Sequence, residues 1–414
     1  MVRNFQRCLT ARLAGSRSPA CRLGIPHRHV AEEHLGHLAF AGDGETTGDH
    51  ATLSHMHAAE RGHRRRSAGA ALASLSDAAL MELLARAEGG ASSIGGSSVR
   101  LDVAGVPVFA KCVPVTELEM AAQNRGSTAN LFDLPTMYHY GVGSTGTNVW
   151  RELAAHEVVT TWVVAEQVAG FPLLYHARLL PVRTSAAADE GLADTESVIS
   201  YWDGSVAVGR RVDALASSTS SLALFLEYIP TTLATWLSQQ SDVRELEAAC
   251  HVVERQLLRT IGFMNAHGLH HFDVHLNNVL TDGRQLYLTD FGLTSSVGFE
   301  LTQTERDFLA ANATHDKCLA RTMLMNWVVT ELLAPQNAAQ RNEIIRTLAA
   351  GERPSGLPSG LSAMARRHAA VAVVINDFYW SLFGESRATP YPTEAAEQVL
   401  RQSELQIADH GYDG

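Results

Sequence analysis

The strongest constraint on this 414-residue chain is a set of polar residues at fixed spacing in its second half. Asp273 is followed five residues later by Asn278, and Asp290 comes twelve residues after Asn278. Between Asn278 and Asp290, two short apolar runs flank Asp282-Gly283, a pattern that predicts a β-hairpin. The chain must therefore hold two carboxylates and an amide on loops that a small hairpin connects.

These residues resemble the two catalytic motifs of the protein kinase-like superfamily. Its catalytic loop reads H-x-D-x-x-x-x-N, which matches His271 to Asn278, and its metal motif reads D-F-G, which matches Asp290-Phe291-Gly292. The resemblance implies an ATP- and Mg²⁺-dependent kinase, a phosphotransferase that moves the γ-phosphate of ATP to a hydroxyl acceptor.

The resemblance also implies a role for each residue. Asp273 is expected to orient the acceptor hydroxyl and take its proton. Asn278 and Asp290 are expected to hold Mg²⁺, because amide and carboxylate oxygens are hard ligands. Gly292 lets the backbone turn so that Asp290 points inward, and His271 is expected to fix the loop rather than to act as a general base.

Lysine usage singles out a further residue. Of the 33 basic residues only Lys111 and Lys317 are lysine. Lys111 ends the run Val108-Phe109-Ala110-Lys111, which resembles the V-A-I-K pattern whose lysine meets the α- and β-phosphates. A compact ammonium suits an apolar strand better than a broad guanidinium does. We therefore expect Lys111 to be the phosphate-binding lysine.

A carboxylate should hold Lys111 in place. Glu152 opens a predicted helix and is the preferred partner, with Glu157 as the alternative. Asp316 is a candidate for the buried aspartate that supports the catalytic loop in the family.

Two other segments are expected to contact the nucleotide. Gly95 and Gly96 lie in a glycine- and serine-rich run whose backbone N–H groups could meet phosphate, although an ordinary turn would have the same composition. Glu227-Tyr228-Ile229 resembles the hinge between kinase lobes, so the backbone of Glu227 and Ile229 is expected to bind adenine.

The periodicity along the chain predicts an α+β, two-lobed arrangement. Residues 76–227, the expected β-rich N-lobe with insertions, contain strand patterns at Val99–Val103 and Val106–Val113 and a helical pattern at Arg151–Val164. Residues 228–408, the expected helical C-lobe with the catalytic loop, contain helical patterns such as Val243–Ala266 and Arg306–Leu333.

The first 68 residues differ in composition from the rest of the chain. Residues 1–68 are rich in Arg, His, Gly and Ala and show little periodicity, so we expect a disordered extension. The first thirty residues carry several arginines and no acid, which would also fit a transit peptide or a start codon assigned too early.

Charge and cysteine content exclude several classes of function. A net charge of −11 argues against general nucleic-acid binding, which needs a basic surface. No apolar run approaches the length of a membrane span. Five scattered cysteines without a C-x-x-C pair are typical of a reduced, cytoplasmic protein. Nothing in the sequence indicates an oligomeric state.

Two departures from the kinase motifs bear on the acceptor. Phe272 replaces the arginine of H-R-D, so phosphorylation of an activation loop should not be the switch. His275 replaces the catalytic-loop lysine, as in aminoglycoside and choline kinases, and no A-P-E motif follows Asp290.

The rest of the pattern favours a protein acceptor. The hinge and the run Gly268-Leu269-His270-His271 look like those of protein kinases, and the chain from Ser76 onward is similar to a set of actinobacterial protein kinases. Protein Ser/Thr is therefore the preferred acceptor. A small-molecule hydroxyl, or a nucleotide-binding scaffold with little turnover, remains the alternative.

Overall fold

A computed structural model describes residues 47–87, 91–93, 96–141, 143–181 and 195–408. These residues divide into two units. The first contains the described residues up to Pro230 together with Thr281–Thr302, and the second contains Thr231–Leu280 and the residues from Gln303 onward. The predicted α+β class is confirmed, because the first unit contains a five-stranded sheet and the second is mainly helical.

The sheet of the first unit is antiparallel throughout. Its strands lie in the order β1-β2-β3-β5-β4, with the bounds β1 Ala91–Ser93, β2 Gly96–Val103, β3 Val106–Val115, β4 Leu174–Pro181 and β5 Ser220–Glu227. The two strands predicted between residues 99 and 113 are confirmed as β2 and β3. Burial alternates along β3 but changes face midway, since Val106, Val108 and Ala110 are buried in its first half and Val113 and Val115 in its second.

Helices flank this sheet in the first unit, and their bounds are α1 Thr47–Ser74, α2 Asp77–Arg86, α3 Glu117–Met120, α4 Val149–Val164, α5 Thr195–Tyr201 and α6 Val206–Ala216, with a 3₁₀ turn at Thr136–Tyr140. Polar side chains set two of the starts. Ser76 accepts a hydrogen bond from the Ala79 N–H at the start of α2, and Asn148 accepts one from the Trp150 N–H at the start of α4. The helix predicted at 151–164 is therefore confirmed, beginning two residues earlier.

The expectation of a disordered extension over residues 1–68 is wrong for residues 47–68, which form most of α1. Ala68 and Leu72 of this helix are buried, and α1 packs against β4. At Gly69 a Cβ atom would lie 2.8 Å from the Tyr175 carbonyl oxygen, so glycine permits the close approach. Burial against the sheet stabilises a segment whose own periodicity is weak. Residues 1–46 lie outside the described ranges.

Short strands accompany the loops that carry the predicted catalytic motifs, namely β6 Thr231–Thr232, β7 Leu269–His270, β8 Val279–Thr281, β9 Leu286–Leu288 and β10 Ser295–Ser296. The turn before β9 is closed by the Thr281 hydroxyl, which donates to the Gln285 carbonyl oxygen at 2.9 Å. The segment 281–302 was predicted with the second lobe but belongs to the first unit. The reason is local, since its backbone bonds to that unit, for example Leu288 N–H to the Gly170 carbonyl at 2.9 Å.

The second unit is built from helices α7 Leu233–Ser238, α8 Val243–Ala266, α9 Gln303–Ala311, α10 His315–Leu333, α11 Ala338–Ala349, α12 Ser359–Gly384 and α13 Thr393–Ala408. Helix α10 packs against α8 and α12, and the core between α10, α11 and α12 is lined by small and branched side chains such as Ala369 and Ile345. The single helix predicted at 306–333 is instead α9 and α10, separated at residues 312–314. Among the described residues, no single helix has the length and apolar character needed to cross a membrane. The helices Met56–Ser74 and Asp77–Arg86 reach that length and apolar character only when taken together, and the chain bends sharply between them.

Candidate active site

Lys111 lies at the centre of a charged cluster in the first unit. Its Nζ is 2.7 Å from Glu152 Oε1 and 2.9 Å from Asp290 Oδ1. The three residues come from β3, from the first turn of α4 and from the segment after β9. The fold thus brings together three of the residues that the motifs predicted.

Helix geometry explains why Glu152 rather than Glu157 meets the lysine. Glu152 is buried and Glu157 is exposed. Five residues correspond to about 500° of rotation in an α-helix, so the two carboxylates lie on different faces. Only the face that carries Glu152 is turned toward β3.

The two carboxylates keep Lys111 charged. Burial acts to lower the pKa of the ammonium, but attraction to Asp290 and Glu152 outweighs burial and raises that pKa above its usual value. Lys111 is therefore held in its charged form, which suits a group that binds phosphate.

Asp290 and its neighbours are held in an unusual backbone conformation. Asp290 has φ +68°, in the left-handed region that non-glycine residues rarely adopt. The Gly292 carbonyl accepts a 3.1 Å bond from the Thr147 N–H, and the Leu293 carbonyl accepts a 2.8 Å bond from His139 Nδ1–H. These partners come from the segment between β3 and α4. Such strained residues are enriched at functional sites, where surrounding contacts maintain them.

Asp273 and Asn278 lie close together on one loop of the second unit. The Asn278 amide donates to the Asp273 carbonyl at 3.0 Å and to Asp273 Oδ2 at 3.1 Å. Asp273 Oδ2 also lies 3.6 Å from His275 Nε2. His271 is fully buried, and its Nδ1 accepts a 3.2 Å bond from the Asp273 N–H, so it orients the loop backbone as predicted.

Asp316, in the first turn of α10, hydrogen-bonds to the backbone of this loop. Its carboxylate accepts bonds from the N–H groups of His271 at 2.7 Å and Phe272 at 2.8 Å, and from the Asn265 amide at 2.8 Å. Burial would raise the pKa of Asp316, but the adjacent His315 outweighs that effect and holds the pKa well below its usual range. A buried carboxylate therefore fixes the backbone next to Asp273.

Phe272 shows what replaces the arginine of the H-R-D motif. Its side chain is buried and its ring stacks on Phe308, with ring centroids 5.3 Å apart, and lies 5.2 Å from the His315 ring. Its φ is +65°, a conformation that a bulky residue adopts only under constraint. A phenyl ring occupies the position, so residue 272 itself offers no cationic group to a phosphate.

The structure restricts what the glycine run can do. Gly95 lies outside the described residues. Gly96 begins β2 at φ +122°, and a Cβ there would come within 2.2 Å of the Cys112 carbonyl oxygen. Glycine is required at this position because the backbone approaches β3 closely. This packing alone explains the glycine, whether or not the run binds phosphate.

The residues of the hinge-like run differ in how their backbone N–H groups are bonded. The Glu227 N–H donates to the Leu173 carbonyl at 2.8 Å and is therefore engaged. Within the described ranges, the Ile229 N–H has no hydrogen-bond partner, and Ile229 is buried. Of the two residues expected to bind adenine, Glu227 has its N–H engaged within the protein, and Ile229 does not among the described residues.

The candidate metal ligands are few. No group of three or more His, Cys, Asp or Glu side chains gathers into a metal site in the part of the chain that the structure describes. Asn278 donates through its amide nitrogen, which leaves its oxygen as the end that can meet a cation. The Asn278 amide oxygen and the Asp290 carboxylate are each of a ligand type that Mg²⁺ accepts, and Mg²⁺ keeps several waters and phosphate oxygens besides one or two protein ligands.

The structure shows two further buried charged residues, Glu119 and Arg61, whose positioning roles the sequence motifs did not indicate. Glu119 Oε1 accepts bonds from the Val149 N–H at 3.0 Å and from Arg211 at 3.1 Å, so it fixes the start of the helix that carries Glu152. The Thr116-x-x-Glu119 pattern is a capping box that could have been found. Arg61 of α1, which bonds to Glu227, carries no local signal.

Comparisons with protein-family models and with curated proteins give no match for this chain.

Proposed function

We propose that this chain is an ATP- and Mg²⁺-dependent phosphotransferase of the protein kinase-like superfamily, with a protein Ser/Thr hydroxyl as the preferred acceptor. The observation that carries the proposal is the position of Lys111, whose Nζ bonds to both Glu152 and Asp290. Glu152 and Asp290 lie 41 and 179 positions from Lys111 in sequence, and the fold of the first unit brings the three charged side chains together. A purely structural ion pair does not need a second carboxylate, whereas phosphate binding needs a lysine held in a fixed position.

The proposed reaction assigns one task to each residue. The acceptor oxygen bonds to the γ-phosphorus, the bond from that phosphorus to the β–γ bridging oxygen breaks, and ADP leaves. Asp273 takes the proton of the acceptor hydroxyl. Lys111 neutralises charge on the α- and β-phosphates, and Asn278 and Asp290 would hold the Mg²⁺ that neutralises the rest. The Ile229 N–H and the Glu227 carbonyl would hydrogen-bond adenine.

The two lysines of the chain provide a matched test. With purified protein, radiolabelled Mg·ATP and a generic peptide pool, we expect Lys111→Met and Asp290→Ala to abolish transfer. Lys317→Met should retain it, because Lys317 is 35% exposed and its nearest carboxylate, on Glu404, is 3.9 Å away. Asp273→Asn should keep ATP binding while lowering the transfer rate by about 10²–10⁴-fold.

Two results would contradict the proposal. Wild-type activity in Lys111→Met or Asp290→Ala would exclude the assigned site. Binding of Mg·ATP by the native chain without transfer to any acceptor, itself included, would favour a nucleotide-binding scaffold instead.

His275 favours a second candidate acceptor, a small molecule. Its Nε2 lies 3.6 Å from Asp273 Oδ2, at the position where aminoglycoside and choline kinases carry histidine. The same assay with an aminoglycoside panel in place of peptides distinguishes the two. Transfer to a panel member with none to the peptide pool would favour this second candidate.

A further inference from the structure

Helix α1 contributes a buried cation to the hinge-like run. Arg61 is 2% exposed and Glu227 is 5% exposed. Arg61 Nε donates to Glu227 Oε1 at 2.9 Å, and its Nη2 donates to Glu227 Oε2 at 2.7 Å. Two parallel bonds of this kind fix the orientation of a carboxylate as well as its position.

Arg61 also holds the chain that precedes β4. Its Nη1 donates to the Ala169 carbonyl at 3.1 Å, and its Nη2 donates to the Phe171 carbonyl at 2.6 Å. Glu227 Oε2 in turn accepts a 3.1 Å bond from the Leu173 N–H. One guanidinium therefore joins α1, the residues before β4 and the end of β5.

The face of Arg61 is enclosed as well. Its guanidinium carbon lies 5.1 Å from the centre of the Tyr287 ring, and the Tyr287 hydroxyl is 3.3 Å from His57 Nε2 on the same helix. Burial acts to lower the pKa of Arg61, but the Glu227 carboxylate outweighs it and raises that pKa, so Arg61 stays charged. Removing either charge leaves the other buried and unpaired.

From these contacts we infer that Arg61 is a positioning residue of the nucleotide pocket, acting through Glu227 on the backbone that would bind adenine. The inference rests on the proposed function and extends it, because α1 lies before all of the kinase-like motifs. Arg61 does not touch the phosphate-binding cluster of Lys111, Glu152 and Asp290. Its effect should therefore be confined to the base of the nucleotide.

Two probes separate positioning from general destabilisation. Adenosine carries the base without phosphate, and Mg·tripolyphosphate carries phosphate without the base. We expect Arg61→Met to weaken binding of adenosine and of Mg·ATP by about tenfold or more, since small misplacements of a binding group cost that much or more. Tripolyphosphate binding should stay within about twofold, a difference below 0.5 kcal/mol. In the transfer assay, KM for ATP should rise while kcat changes little.

Arg64→Met is the matched control, because Arg64 lies on the same helix and pairs only with exposed Glu60. It should bind all three ligands as the native chain does. If Arg61→Met does not fold, Arg61→Lys keeps the charge but loses the fork geometry, and it should still weaken adenosine binding.

The outcomes are distinguishable. A folded Arg61 variant that binds adenosine like the native chain would overturn the inference, as would an equal loss of adenosine and tripolyphosphate binding. Failure of the native chain to bind Mg·ATP would instead overturn the proposed function, and this inference with it.

Discussion

Replacing Asp316 by alanine should destabilise the second unit more than any surface change. The carboxylate accepts bonds from two backbone N–H groups, those of His271 and Phe272, and from the Asn265 amide. A buried donor left without an acceptor costs about 1–3 kcal/mol. Three such donors give a loss of about 3–9 kcal/mol, and a water entering the space left by the carboxylate brings the expected value to about 3–5 kcal/mol.

Asp377→Ala is the control for Asp316→Ala. Asp377 lies in the same unit, is 50% exposed and pairs with Arg346 at 2.6 Å. Exposed pairs contribute about 0.2–1 kcal/mol. Guanidinium-induced unfolding followed by circular dichroism and fluorescence gives the free energies of unfolding of both variants. Equal losses for the two would refute the claim that Asp316 supports the loop, and Asp316→Asn, which keeps one acceptor oxygen, should fall between them.

Three further predictions concern other positions in the two units. Burial lowers the pKa of His368, although Glu254 opposes this effect. The contribution of His368 to stability is therefore complete above about pH 6.5 and is lost as the pH falls below that value. In urea unfolding, the free energy of unfolding should differ less between pH 7.5 and pH 5.5 in His368→Gln than in the native chain. Gly96→Ala should prevent correct packing of the sheet, because its Cβ would lie 2.2 Å from a carbonyl oxygen of β3, and a native melting temperature would contradict this. Glu119→Gln should lower the free energy of unfolding by about 3–5 kcal/mol, because Arg211 would be left buried without its carboxylate; a denaturant titration indistinguishable from that of the native chain would contradict it.

The sequence alone singles out residues whose pattern lies within one short segment. The spacing of Asp273, Asn278 and Asp290 is a property of one short segment, and Lys111 stands out by its rarity and its apolar strand. Strands β2 and β3 were found because runs of apolar and β-branched residues flank the Ala104-Gly105 turn.

Residues that act across the chain could not be predicted. Arg61 and Glu227 are 166 positions apart, and nothing near Arg61 marks it as buried. Helix α1 was missed because burial against β4, rather than its own periodicity, stabilises it. The segment 281–302 follows in sequence the loop of the second unit that carries Asp273, and only its backbone bonds to the first unit reveal where it belongs.

The bonds made by Thr147 and His139 to the carbonyls of Gly292 and Leu293 bear on which ligands this chain would accept. A ligand that binds only after the backbone at Gly292 and Leu293 moves must first break both bonds. At about 1 kcal/mol each, they would lower the apparent affinity of such a ligand by about 30-fold. Ligands that leave this backbone in place avoid the loss, so the segment between β3 and α4 would discriminate between the two kinds of ligand without contacting either.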